Sequence, residues 1–395
     1  MIRYGQQEIL EEDVAAVVEV LRSDFLTQGD AVPSFEKAMA TGVGARFATG
    51  VNSATSALHL SCLALGLGPG DRLWTSPNTF VASANCAAFC GADPDFVDID
   101  PQTWNMSIPA LREKLEEASR RDALPKVVVP VHFGGLPVDQ EAIWELSREF
   151  GFRILEDAAH ALGAERNGRP VGDCRWSDIT VFSFHPVKII TTGEGGMALT
   201  NDPALDQSLK MNRSHGITRD RGRFVGGARS GGDEQGPPSW YYEQQELGFN
   251  YRMSDIHAAL GLSQYWRLEW FIARRNELAR QYDQHLRHLP IQLPEHFDGV
   301  RSSFHLYVIR VPSSGHEGRR RVVFDYLRRE GIGVGVHYMP VHLQPYYRNR
   351  GFTPGDFPQA ELHGEEAITL PLHPGLSDAD QMQVVSVLED ALALG

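Results

Sequence analysis

Apolar positions recur along this chain in two rhythms. Between residues 8 and 23, Ile9, Val14, Val17, Val18 and Leu21 fall at helical spacing behind an early group of acids, where the helix dipole favours negative charge. A second helix is predicted over 32–43, and a short strand over 46–51 ends in Asn52-Ser53-Ala54-Thr55-Ser56 before an apolar helix from Ala57. Strands over 72–75, 94–97, 126–131 and 153–156 then alternate with helices over 79–92, 108–119 and 139–150. A β-branched run over 179–184 and a second apolar run ending at Asn201-Asp202 bracket Lys188 and the glycines Gly193, Gly195 and Gly196. The order there reads strand, turn, lysine, turn, strand.

Such alternation predicts an α/β fold with a mostly parallel sheet covered by helices. Ligands of open sheets of this kind sit beyond the carboxyl ends of the strands. That rule gathers the turns 52–56, 76–80, 132–135 and 157–160 on one rim, with Lys188 among them. Further on, 215–239 is rich in Gly, Arg and Pro without periodicity and reads as a long exposed loop. One long helix is predicted over 254–286, with Ser254 as its N-cap. Strands over 304–311 and 333–337 and helices over 319–329, 361–368 and 378–392 follow. The pattern divides the chain into a large domain, 1–265, and a smaller α+β domain, 266–395.

Composition narrows the function classes. The chain has 395 residues, 42% of them hydrophobic, enough for a large core, and its formal charge of -14 argues against nucleic acid and anionic membrane surfaces as partners. No apolar window reaches the roughly 18 residues of a membrane span, and the acidic N-terminal segment shows no secretory signal. The four cysteines form no CxxC pair and read as buried free thiols, which suits a cytoplasmic protein. The fifteen histidines include no HxxxH or HExxH spacing, so no metal is expected.

Candidate chemistry centres on Lys188. A lysine held in a partly dry pocket has its amine pKa lowered and can attack a carbonyl, forming a Schiff base with a substrate or with pyridoxal phosphate (PLP). Asp157 ends an apolar strand before Ala158-Ala159-His160, where a carboxylate can hold a pyridinium nitrogen protonated. The turn 52–56, small and hydroxylated at a helix start, is a recipe for a phosphate site. Each feature alone reads more readily as a cap or a solvated group. Together with Phe80 as a ring partner, they meet the four needs of one cofactor.

The strings NSATSALHL (52–60), SPNTFVASAN (76–85), EDAAHALGA (156–164), FSFHPVKIITTGEGGMALTND (182–202), RSHG (213–216), LGFNYRMSDIHAALGLSQ (247–264) and VHYMPVHLQPYY (336–347) resemble the DegT/StrS family of PLP-dependent nucleotide-sugar aminotransferases. The resemblance implies a PLP-dependent transferase of fold type I, a homodimer with active sites shared between subunits, and glutamate as amino donor. It implies that Lys188 is the Schiff-base lysine and acid/base, that Asp157 pairs with the pyridinium, that Phe80 stacks on the ring, and that His160 lies near the ring oxygen. Ala54, Thr55 and Ser183 then bind the phosphate, joined by Asn250 of the second subunit. Sugar contacts are implied for Tyr4, for the loop Asp24, Phe25, Leu26 and Thr27, and for Val336, His337, Tyr338 and Met339. Relatives often carry lysine where this chain has Asp24, which puts a side-chain role there in doubt. His185 either touches cofactor or sugar or packs within its turn, and His215 is placed near the site entrance. The segments SDFLTQG, HPVKIITTGEGG and VHY with PYY resemble the branch that aminates a UDP-4-keto-6-deoxy-N-acetylhexosamine. Another nucleotide-linked keto sugar, of perosamine or aminoarabinose type, is the alternative. A PLP-dependent dehydratase, in which histidine replaces the lysine, or a non-catalytic protein of this fold, ranks below both.

Overall fold

Seven short strands form the central sheet of the computed structural model, which describes residues 1–225, 237–313 and 318–394. They are β1 (Phe47–Val51), β2 (Arg72–Thr75), β3 (Asp93–Phe96), β4 (Val127–Val129), β5 (Arg153–Asp157), β6 (Ile179–Ser183) and β7 (Gly196–Thr200). Their spatial order is β1-β7-β6-β5-β4-β2-β3. From β6 across to β3 every pairing is parallel, and β7 alone runs antiparallel to both neighbours. The mostly parallel sheet expected from the alternation is therefore present. Antiparallel neighbours need no crossover helix, so β6 and β7 are joined by the irregular segment 184–195, which carries Lys188 at the rim. Both faces are packed, as the β-branched strands require. Val127 and Val129 point into a cluster with Leu58, Cys62 and Cys86, while Val128 between them joins Trp74, Ile143 and Ile154.

Several elements differ from expectation. The helix after β1 starts at Ala54, three residues early, because the Ser53 side chain accepts the Ser56 N–H at 3.1 Å and caps it. The helix expected over 79–92 is shortened to Ala82–Phe89. The long helix expected over 254–286 is two, Asp255–Tyr265 and Leu268–Leu286. No Gly or Pro marks that break. Arg267 leaves helical geometry there, and its guanidinium meets the fully buried carboxylate of Asp13 at 2.5 Å. The helix expected over 361–368 ends at Glu366, and Ala367–Leu370 is instead a strand, β9, paired antiparallel with β8 (Tyr307–Arg310). A partner strand and full burial override the helical pattern there. Residues 333–337 form no strand and make only an isolated bridge, Gly335 to Thr369. Of the expected loop 215–239, Ile217–Thr218 pairs with Glu243–Gln244, and 226–236 lie outside the described residues. Cys62, Cys86 and Cys174 are buried free thiols, and Cys90 is half-buried.

A second core joins Leu278, Tyr282 and Leu286 to β8, β9 and Val384 and Leu388 of the helix Asp378–Leu394. The segment 303–306 ties that core to the sheet. Ser303 N–H donates to Gly135 O and Leu306 N–H to Gly134 O, both at 3.1 Å, and Ser303 Oγ donates to His160 O at 2.6 Å. Among the described residues no helix is long and apolar enough to cross a membrane.

Gly135 makes that junction possible. Its φ is +102°, and a Cβ there meets Ser303 Oγ at 2.2 Å and His160 O at 3.0 Å. Gly135→Ala is expected to lower stability by roughly 2 kcal/mol or more, read as an earlier thermal unfolding transition by circular dichroism.

Candidate active site

Asp157 closes β5 at the carboxyl rim and is almost fully buried. Its Oδ2 accepts the Ser83 hydroxyl at 2.6 Å and its Oδ1 the Ala159 N–H at 3.0 Å. Ser83 also lies 2.7 Å from Thr79 Oγ1 in the turn before its helix, and with Ala159 beyond β5 it holds the carboxylate from two elements. Beneath it, Glu156 accepts Gln140 Nε2 and Thr180 Oγ1, each at 2.7 Å. Burial pushes the Glu156 pKa up, yet His132 and these two donors outweigh it and hold the carboxyl below its usual value.

Lys188 follows a turn closed by its own N–H donating to His185 O at 2.8 Å. The side chain is half-buried. Burial pulls its amine pKa down from the ordinary lysine value to about 8, and the charge of Asp157 opposes that shift. Its Nζ lies 3.4 Å from Nε2 of His305. His160 accepts the Gly134 N–H on Nδ1 at 3.2 Å, which places its proton on Nε2, where it donates to Tyr338 Oη at 3.2 Å. Burial first, then Lys188, His337 and His132, hold His160 far below the usual histidine value, so it is neutral. His337 is lowered to about 4 by burial and by Lys188. The Tyr338 phenol is raised by burial and by the charges of Asp157 and Tyr4.

The turn 52–56 offers backbone donors at the same rim. Ala54 and Thr55 open a helix, so their N–H groups have no carbonyl a turn behind them to bond. Gly196, the register partner of Ser183, packs directly on this turn, and a Cβ on it comes within 2.5 Å of Ala54 N. The missing side chain therefore keeps Ala54, Thr55 and Ser183 together. The donor set fits a group with an aldehyde for Lys188, a basic ring nitrogen for Asp157 and a phosphate for the turn.

The remaining candidates divide. Tyr4 joins the site through its ring, 5.7 Å from that of His337, and His337 Nδ1 lies 2.7 Å from Thr369 Oγ1. Val336 is half-buried and Met339 exposed beside them. Phe80 is 59% exposed at the head of the helix that carries Ser83, open to stack on a ligand. His185 is exposed, and its bond to Lys188 is made by backbone. Asp24, Phe25, Leu26 and Thr27 form an exposed loop anchored where Leu26 O accepts the Asp255 N–H at 3.0 Å. His215 and Asn250 are exposed on adjacent segments, with His215 N–H bonded to Phe249 O at 2.7 Å. Among the described residues no hydrogen bond joins Asp24 to Thr27, His215 or Asn250 to Lys188 or Asp157. Sequence reasoning missed His305 and Ser83. Ser83 could have been found as the residue one helical turn after Thr79 in SPNTFVASAN. His305 lies in an apolar run with nothing local to mark it.

A model of the DegT/DnrJ/EryC1/StrS aminotransferase family matches residues 7–389. The chain is 38% identical over 390 residues to the spore coat polysaccharide biosynthesis protein SpsC of Bacillus subtilis, covering 98% of this chain and 96% of that protein. Among solved structures, a Streptococcus pneumoniae protein assigned as a sugar aminotransferase, in its PLP form, superposes with a TM-score of 0.88 at 30% identity, covering 100% and 99% of the two chains. Helicobacter pylori PseC, an aminotransferase of pseudaminic acid biosynthesis, superposes with a TM-score of 0.89 at 29% identity over 100% of both chains.

The amine chemistry is open to direct measurement. In cofactor-free protein, labelling of Lys188 by an amine-directed reagent is expected to rise with pH through a midpoint near 8. Asp157→Asn removes the charge that favours the ammonium, leaves burial unopposed, and so lowers the midpoint. Peptide mass analysis after labelling at a series of pH values reads both.

Proposed function

The chain belongs to the DegT/DnrJ/EryC1/StrS aminotransferase family, and from that premise we propose that it transfers an amino group from L-glutamate to C4 of a UDP-4-keto-6-deoxy-N-acetylhexosamine. The product is UDP-4-amino-4,6-dideoxy-N-acetyl-β-L-altrosamine, as in pseudaminic acid biosynthesis. The protein is a PLP-dependent aminotransferase of fold type I. The observation that carries the assignment of the site is a half-buried lysine, its amine lowered to about 8, on the same rim as a carboxylate whose oxygens are already bonded.

When bound, PLP supplies the electron sink that makes the hydrogen on the nitrogen-bearing carbon acidic. The residues of the chain do the rest. Lys188 would hold the cofactor between turnovers, and its Nζ, once free and neutral, would take the proton from the donor's α-carbon and give it up on the far side of the nitrogen. Asp157 offers a carboxylate to the ring nitrogen, oriented by Ser83 and Ala159. Neutral His160, its proton directed at Tyr338, adds no positive charge of its own. Ala54, Thr55 and Ser183 take the phosphate, with Asn250 from the other subunit of a cytoplasmic homodimer. Tyr4, the Asp24 to Thr27 loop, His337 and Tyr338 line the path of the sugar.

The resemblance of SDFLTQG, HPVKIITTGEGG and the VHY and PYY segments, with the full-length likeness to PseC, supports the UDP-linked sugar. The higher identity to SpsC favours a second reading, in which another nucleotide-linked keto sugar for a polysaccharide is aminated.

Incubation with PLP, glutamate and a panel of UDP-, GDP- and dTDP-linked 4-keto sugars is expected to give an amino sugar from the UDP-N-acetyl substrate. Turnover of a dTDP or GDP sugar alone overturns that choice in favour of the second reading. The shared site predicts complementation: Lys188→Ala and Asn250→Ala proteins, each nearly inactive, recover up to about a quarter of wild-type activity when refolded together, because about half the dimers are mixed and carry one intact site. No recovery places Asn250 in its own subunit's site.

A further inference from the structure

We propose that His305 is a positioning residue for Lys188, its Nε2 accepting one N–H of the amine and so setting the direction of the remaining bonds and lone pair on Nζ. The inference rests on the reading of Lys188 as the cofactor lysine. Among the described residues, His305 is the one side chain within hydrogen-bond distance of Nζ, at 3.4 Å. The two groups come from opposite sides of the cleft. Lys188 stands on the sheet rim, and His305 on the segment that ties the second core to Gly134 and Gly135.

The backbone of His305 is held, and its ring packed, by groups other than the lysine. Arg275, itself 1% exposed, donates from Nη1 to the carbonyls of Phe304, His305 and Leu372 at 3.2, 3.3 and 3.0 Å. The His305 ring packs on that of His160 with centroids 4.4 Å apart. Its Nδ1 is buried without a partner. An imidazole enclosed with one nitrogen unsatisfied is destabilising, which leaves the contact with Lys188 as the one polar partner of the ring. A protonated lysine can only donate, so Nε2 facing it is bare and the imidazole proton sits on Nδ1. Burial and the neighbouring Lys188, His160, Arg275 and His337 keep His305 from gaining a second proton. It therefore orients the amine and does not act as the base.

The test compares His305→Gln, His305→Asn and His305→Ala in the full-length protein. Glutamine can set an acceptor where Nε2 lies, whereas asparagine reaches only the place of Nδ1. Two rates are read: labelling of Lys188 by an amine reagent in cofactor-free protein, and growth of the visible absorption band after PLP is added. Alanine and asparagine are expected to slow both about tenfold, as a misdirected nucleophile does, with glutamine close to wild type. Thermal transitions measured alongside identify variants that lose fold. Asparagine and glutamine behaving alike, whether both as wild type or both impaired, overturns the proposal. If wild type forms no band while the labelling rates keep the expected order, the cofactor reading fails and the positioning role stands.

Discussion

A buried amine near a buried carboxylate can go two ways. Closed into a tight ion pair, the lysine stays protonated and has no lone pair to offer; left alone, it loses its proton but also its place. Lys188 and Asp157 sit between these limits. The carboxylate oxygens are engaged by Ser83 and Ala159, and its charge reaches the lysine only through space. Burial wins by a moderate margin, and the amine is left near the pH at which it can both take and give a proton. The antiparallel joint between β6 and β7 serves this balance, because it holds Lys188 at the rim on a segment that never enters a helix.

Neutral neighbours complete the setting. Positive charge on His160, His305 or His337 would push the lysine further toward deprotonation. All three are instead held below the usual histidine value, with burial as the first cause. The bond from Gly134 N–H to His160 Nδ1 goes further and selects a tautomer. Backbone thus does part of the electrostatic work, and the glycine pair 134–135 is where both cores and the tautomer are set.

The sheet and the centre of the site were legible because their signals are local. Strand, turn and helix succeed one another within about ten residues, and Asp157, Lys188 and the turn 52–56 each fall at a junction that the hydrophobic pattern already marks. What escaped depends on residues far away in the chain. The break at Trp266 and Arg267 lies where Arg267 pairs with Asp13, and the strand Ala367–Leu370 lies paired beside Tyr307–Arg310. His305 gains meaning only from a lysine 117 residues earlier. Asn250, His215 and the Asp24 to Thr27 loop belong to a different category. The resemblance of their motifs implies a part in the site, while the single chain leaves them at its surface.

The link between Ser303 and His160 closes across 143 residues of chain. Contacts of such separation are the costly ones to form, since loop closure must precede any gain. Without them Lys188 would be an ordinary solvated lysine, almost wholly protonated at neutral pH and slow toward carbonyls. Its reactivity is a property of the finished fold. The lowered pKa of this amine therefore arrives together with the enclosure that governs what can reach it.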